Sequence, residues 1–245
     1  MIVDPWLGGL RIALPRTGTA ARVYYEGSSN VPLADEIRRH LREGGTYVDV
    51  GAHIGEFALL AAQAVGTSGI VLALEPNHDL ALVLEENVRL NRLSNVAVRA
   101  VAVGAESGRT GFRVDERSGG GWIDPGQGTT YRVDCVTLDE LAEEEALPQI
   151  DFLKIDAAGG EVAVLQGARR LLSEERLAYV ASKVYHPDVV RARRGGNVRT
   201  LASMLLDYGY SLEALLEGCR STITRPEELA ELSSRAYSIV LVASK

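Results

Sequence analysis

Thr46-Tyr47-Val48-Asp49-Val50-Gly51-Ala52-His53-Ile54-Gly55 is the stretch on which the fold turns. Five residues of β-forming character end in Val50, a glycine follows at once, and a second glycine sits at the start of an apolar run from Ile54 to Val65, which Gly66 closes. That order describes a strand, a tight turn and a helix. Gly51 lets the chain turn and brings backbone close to a ligand, and Gly55 lets the helix lie against the strand. Asp49, at the strand end, is placed to face a ligand through water or an amine.

Strands and helices alternate outward from this turn. Before it, the helical spacing of Ala34, Ile37 and Leu41 stops at Gly44-Gly45. After it come an apolar strand Ile70 to Leu74, a helix Asp79 to Leu90 and a third strand Val96 to Val103. Two shorter β runs, Thr110 to Val114 and Tyr131 to Val136, flank a Gly-rich loop, Ser118-Gly-Gly-Gly-Trp122 to Gly126-Gln-Gly128. That loop is either a lid carrying one aromatic or a surface loop. Thr137 to Glu140 has capping-box spacing for a short helix. The fourth core strand is Ile150 to Ile155, followed by a helix Glu161 to Leu172, a strand Leu177 to Val184 and a helix Val198 to Tyr208. Two β runs, Tyr210 to Leu216 and Arg235 to Ala243, end the chain, separated by Glu217 to Ser234, which contains Pro226. This segment is short for a parallel crossover, so the last strand should run antiparallel. The expected fold is an α/β, mostly parallel sheet covered on both faces. Residues 1–32, with Asp4-Pro5, Gly8-Gly9 and Gly27 to Asn30, read as a small β-rich cap on a main domain 33–245.

A chain of 245 residues, 46% of them hydrophobic, suits one sizeable α/β domain. A net charge of −7 argues against a general nucleic-acid surface and favours a small-molecule partner. Arg191-Ala192-Arg193-Arg194 reads as a solvated helix edge. Cys135 and Cys219 form no metal-binding or disulfide pattern, so no metal is expected. Met1 to Pro5 lacks the basic flank and apolar run of a signal peptide. A soluble, cytoplasmic protein with no membrane partner is therefore expected, its oligomeric state left open.

The second strand ends in Glu75, about twenty residues beyond the turn, where a carboxylate accepts hydrogen bonds from both hydroxyls of a ribose. That serves NAD and S-adenosylmethionine alike, and the loop separates them. A pyrophosphate needs Gly-x-Gly-x-x-Gly, whereas only Gly51-x-x-x-Gly55 is present, with Ala52 and His53 at the point of close approach. A cofactor without phosphates fits better.

Six pieces in order carry a resemblance: Asp49 to Gly55, Leu74-Glu-Pro-Asn77, Glu86-Asn-Val-Arg-Leu-Asn91, Ala102-Val-Gly104 before Gly108, Val136-Thr-Leu-Asp139 and Asp151-Phe-Leu-Lys-Ile-Asp156. Over residues 44 to 186 the chain resembles the FkbM family of methyltransferases. The resemblance implies a Rossmann-like seven-stranded methyltransferase sheet whose last strand is antiparallel. It implies S-adenosylmethionine as donor and O-methylation of a hydroxyl on a small molecule or sugar. Carried over by residue, Asp49, Gly51, Ala52, His53 and Gly55 form the cofactor turn, Glu75 and Pro76 the ribose site, and Ala102 and Val103 the adenine wall. Lys154 and Asp156 border the reactive methyl group.

Two departures stand out. The family's Lys-Ile-Asp-Val-Glu-Gly-x-Glu reads Lys154-Ile-Asp-Ala-Ala-Gly-Gly-Glu161 here, so Ala158 replaces a glutamate, and Ser182-Lys183-Val-Tyr-His186 lacks the acid that often precedes the histidine. The remaining candidates for moving a proton are His186, Asp156 and Glu161. His186 has the pKa best suited to neutral pH, though beside Pro187 it equally begins a helix or turn. Glu161 suits a helix start for the dipole alone. Lys154 and Lys183, two of three lysines, either orient an acidic substrate or pair with a carboxylate. Loss of the acid at 158 also admits an S-adenosylmethionine-binding sensor or scaffold without turnover.

Overall fold

In the computed structural model residues 1–115, 119–124, 126, 128–193, 195–216 and 219–245 are described. Strands β1 (Ile2–Val3) and β2 (Ile12–Ala13) pair as a short antiparallel ribbon. Helix α1 (Gly18–Glu26) follows, a helix the sequence reading did not assign within the expected β-rich cap. Thr17 starts it by accepting the Ala20 N–H, and Gly27 ends it in a left-handed conformation. Helix α2 (Val31–His40) is capped by Asn30, so the expected boundary at 32/33 falls in its first turn. Trp6, Ile12, Ala20 and Val23 share one buried core with Leu33, Ile37, Phe57 and Leu84.

The main sheet is built from β3 (Thr46–Val50), β4 (Ile70–Leu74) and β5 (Val96–Arg99), linked by α3 (Glu56–Val65) and α4 (His78–Leu90). Its chain then leaves for a second, four-stranded sheet of β6 (Ala102–Val103), β7 (Gly108–Val114), β8 (Gly121–Ile123) and β9 (Tyr131–Val136). The expected third strand, Val96 to Val103, is thus two strands in different sheets. The Gly-rich loop contributes β8 to this sheet, and its Ser118, Pro125 and Gln127 lie outside the described residues.

Helix α5 (Leu138–Glu144), capped by Thr137, returns the chain to β10 (Phe152–Ile155). The expected helix from Glu161 to Leu172 is split into α6 (Glu161–Gln166) and α7 (Arg169–Ser173). At the break a Cβ on Gly167 would stand 2.1 Å from the Gly104 carbonyl oxygen, so the second sheet presses directly on this backbone. The chain ends through β11 (Tyr179–Tyr185), α8 (Pro187–Ala192), α9 (Val198–Asp207), β12 (Ser211–Leu216), β13 (Cys219–Ile223), α10 (Pro226–Ser233) and β14 (Ser238–Ser244). Strand β14 inserts antiparallel between β11 and β12, as the short connection required, and β13 adds an edge strand to the seven expected. The start of the connecting segment, Glu217, lies outside the described residues.

The sheet order is β13-β12-β14-β11-β10-β3-β4-β5. Alternate residues of the central strands feed two cores. Val48, Val50, Leu72 and Leu74 pack with Leu141, Leu165 and Leu201 on one face, while Tyr47, Val71 and Ala73 pack with Ile37, Leu59 and Leu84 on the other. Chain direction through the order reverses between β3 and β10, which opens a crevice at the carboxyl ends of these two strands. No described helix is long and apolar enough to cross a membrane.

Candidate active site

A cavity of about 670 Å³ occupies this crevice. The turn at its base carries three left-handed residues, Gly51 (φ 74°), His53 (φ 55°) and Gly55 (φ 88°). The need for glycine at 51 and 55 comes from protein neighbours. A Cβ on Gly51 would lie 2.2 Å from the Asp156 carbonyl oxygen, and one on Gly55 would meet Leu84 of α4 at 2.9 Å. Gly55 therefore makes room for helix against helix, where helix against strand was expected.

Asp49 is fully buried and does not line the cavity. Its Oδ1 is 2.7 Å from Lys154 Nζ, and Lys154 also donates to the Gly51 carbonyl at 2.6 Å. Burial raises the Asp49 carboxyl, with the Lys154 cation pulling against it. The pair is a clamp that fixes the turn: Asp49 holds it from behind, while Lys154 also lines the cavity beside Asp156. This corrects the expectation that Asp49 faces a cofactor, and it gives Lys154, expected at the reactive end, a carboxylate partner.

Glu75 is buried at the end of β4 and lines the cavity. One carboxylate oxygen accepts the His53 N–H and the other the Asn77 N–H, both at 2.8 Å. Each oxygen keeps lone-pair capacity for a further donor. Burial pushes this carboxyl up to about 7 against the two backbone bonds. Ala52, His53, Pro76, Ala102 and Val103 line the same end, with Phe112 and Ile123. Glu56, at the start of α3, is a second buried acid there, which the sequence reading missed. It accepts from the Ser28 hydroxyl at 2.5 Å and the Ser29 N–H at 2.9 Å, tying the N-terminal segment to the turn. Its partners lie 27 and 28 residues away, so no local signal marks them.

At the other end stand Asp156, Lys183 and Tyr185. Asp156 accepts from the Tyr185 hydroxyl at 2.7 Å and from Lys183 Nζ at 3.2 Å. Burial pulls its carboxyl up, but Lys183, Lys154 and the Tyr185 hydroxyl together hold it below the ordinary range, so it stays ionised. Burial, together with the Asp156 charge, lifts the Tyr185 phenol well above its usual value. Ala158, at φ 52°, packs with Tyr185 and Trp122 and lines the cavity. The Arg193 guanidinium lies 4.9 Å from the Trp122 ring centroid and 5.1 Å from that of Tyr185.

His186 is not brought to this cavity. Its Nδ1 accepts the Asp188 N–H at 3.2 Å and caps α8, which corrects its expected role as base. The alternation of β11 explains the exchange: Lys183 and Tyr185 share a face, and His186 falls on the other parity after the strand ends. Glu161 is also outside the lining, its carboxylate folded back on the Gly159 N–H at 3.0 Å and pushed up to about 7 by burial. Its catalytic reading is replaced by a structural one. Arg193, expected on a solvated edge, lines the cavity. Arg191 does lie at the surface, paired with Asp188 at 3.1 Å, and Arg194 lies outside the described residues.

The Methyltransferase FkbM domain family matches residues 49–212 of the chain. No curated protein matches it. Among solved structures, an O-methyltransferase from Bacillus cereus in complex with SAH aligns at TM-score 0.52 and 16% identity, covering 88% of this chain and 82% of that one. The METTL16 MTase domain aligns at TM-score 0.52 and 16% identity, covering 97% and 73%. A putative rRNA-methylase from Clostridium thermocellum aligns at 0.49 and 11% identity, covering 87% and 93%. At such identities the first two show the fold alone, a Rossmann-like methyltransferase sheet.

Proposed function

We propose, from the premise that this chain belongs to the FkbM methyltransferase domain family, that it methylates a hydroxyl oxygen of a small molecule or sugar with S-adenosylmethionine as donor. The observation that carries this reading is Glu75: a buried carboxylate lining the cavity, each oxygen holding one backbone N–H and free to accept one ribose hydroxyl. The cavity residues fit that cofactor. Ala102, Val103 and Phe112 offer apolar contact to an adenine, and the turn lacks the second glycine a pyrophosphate needs. When bound, S-adenosylmethionine supplies an electrophilic methyl group.

The chain's own residues align the acceptor and receive its proton. Asp156 is the group placed to accept that proton. Its low basicity is adequate, because an alcohol oxygen becomes strongly acidic as it is alkylated. Tyr185 and Lys183, which line the same cavity, fix the carboxylate's orientation. Residues 33–245 form the methyltransferase domain in this reading, and 1–32 a cap that lends Gly18, Thr19, Arg22 and Ser29 to the cavity lining. The net charge of −7 argues for a small acceptor over nucleic acid, and a cytoplasmic enzyme is in keeping with the sequence.

Ala158 supports a second reading, since its small side chain lines the cavity where the family carries an acid. In that reading the protein binds the cofactor without turnover. Calorimetric titration with S-adenosylmethionine, S-adenosylhomocysteine and NAD, then a methyl-transfer screen over hydroxylated metabolites and an RNA oligonucleotide, separates the possibilities. Binding of S-adenosylmethionine and methylation of a hydroxylated metabolite, abolished in Asp156→Asn, is expected. Binding of NAD alone overturns the proposal, and methylation of only the RNA overturns its acceptor class. Binding with no turnover, restored by Ala158→Glu, favours the second reading.

A further inference from the structure

Arg193 is a cation that forms no ion pair with a described residue, although its charge is felt by the buried Glu161. Among the described residues no carboxylate lies within ion-pair distance of it, and its hydrogen bond is a long one, 3.5 Å from Nη1 to the Ala158 carbonyl. Contacts with the Trp122 and Tyr185 rings hold the guanidinium plane but use none of its five N–H donors. The acids around it are engaged elsewhere. Asp156 is held by Lys183 and Tyr185, and Glu161 by the Gly159 N–H outside the cavity lining. Asp115, also in the lining, belongs to the β7–β8 hairpin, whose Gly119 carbonyl accepts from Asn77 beside Glu75, at the opposite end.

The charges of the cavity are therefore divided. Glu56 and Glu75 stand at the turn end with Lys154, whose charge Asp49 pairs, while Lys183 and Arg193 stand at the Tyr185 end against the single charge of Asp156. A second cavity of about 380 Å³ shares Arg22, Ser29, Lys183 and Tyr237 with the first, and Glu26 in its lining pairs with Arg22 at 3.5 Å. Alanine at 158, in contact with Tyr185 and bonded through its carbonyl to Arg193, leaves this cation unneutralised at the position where the family has a glutamate. A half-buried guanidinium with unused donors is a recognition element for a planar or tetrahedral oxyanion.

We infer that the acceptor carries an oxyanion, a carboxylate or a phosphate, seated on Arg193 with Lys183 beside it and walled by Trp122 and Tyr185. This rests on the methyltransferase reading and names its substrate class: a hydroxylated acid or a sugar phosphate. The hydroxyl to be methylated then faces Asp156, whose charge Lys183 pairs at 3.2 Å.

Trp122 touches Arg193, so its fluorescence reports the site. In protein carrying Trp6→Phe, with and without S-adenosylhomocysteine, emission is titrated with salicylate against 2-hydroxybenzyl alcohol and with glucose 6-phosphate against glucose, at constant ionic strength. At least one charged probe should give a saturable change about tenfold tighter than its neutral partner, as one charge-assisted hydrogen bond supplies. Arg193→Gln should abolish that preference and Arg193→Lys should keep part of it. A carboxylate-only or phosphate-only response assigns the source of the oxyanion. No saturable change with either charged probe, equal affinity for the neutral partners, or an unchanged preference in Arg193→Gln overturns the inference. Failure of S-adenosylhomocysteine to bind in the same samples overturns the methyltransferase reading instead.

Discussion

Replacing Lys154 by methionine tests the clamp behind the turn. The residue is 2% exposed, and methionine fills nearly its volume, so the change removes charge and donors with little cavity. At 2.7 Å and an effective dielectric of about 20, the attraction to Asp49 is about 6 kcal/mol, much of it offset by desolvation of both groups. What the variant loses is set by the carboxylate left behind: an unpaired buried charge typically costs about 3–5 kcal/mol. In a chain of this size that lowers the melting temperature by roughly 10 °C. The loss has a signed pH dependence. Without Lys154, burial raises Asp49 in the folded state, so the penalty is largest at neutral pH and fades as pH falls into the ordinary carboxylate range. Adding Asp49→Leu removes the stranded charge and should return most of the stability. Urea denaturation at pH 5 and pH 7.5 for the wild type, both single variants and the double variant supplies the cycle. A Lys154→Met loss below about 1 kcal/mol, the range of an exposed pair, or a double variant no more stable than Lys154→Met, refutes the clamp.

Further tests address individual residues. Burial pushes Glu75 and Glu161 up to about 7, above their unfolded values. The stability each contributes is complete below the ordinary glutamate range and drains away as pH rises to about 7, by roughly 3 kcal/mol per group. Glu161→Gln should flatten the decline between pH 5 and pH 8 in urea melts, and an unchanged slope contradicts the assignment. His186→Ala should leave kcat near the wild-type value and cost about 1 kcal/mol as a lost helix cap. A fall of about 100-fold or more, the loss expected for a general base, would restore the histidine to the mechanism. Gly51→Ala forces a Cβ 2.2 Å from the Asp156 carbonyl at φ 74°, so calorimetry should show cofactor affinity lost together with stability, by about 1–3 kcal/mol of backbone strain alone.

Much of this molecule is legible along the chain because its defining features are local. A strand, a glycine turn and a helix occupy consecutive residues, Glu75 ends the next strand, and Asp156 ends the strand that pairs beside β3. Apolar runs fix which segments are strands, and the short last connection makes β14 antiparallel. Tyr185 was also within reach: two residues from Lys183 in a strand, it had to share that side chain's face, whereas His186 could not. The division of Val96 to Val103 between two sheets was not within reach, because hydrogen-bond partners that decide it, in β4 and β9, are distant in sequence.

The sequence by itself determined the alternating α/β order, the glycine turn and the carboxylates at strand ends, since backbone conformation and strand periodicity are set by neighbouring residues. Tertiary structure alone decided what those charges do. It buried Asp49 against Lys154, joined Glu56 to Ser28 and Ser29, and carried Arg193 from an apparent surface run onto Trp122 and Tyr185. Pairing and desolvation depend on which distant side chains meet, and they set the charge that an acceptor encounters.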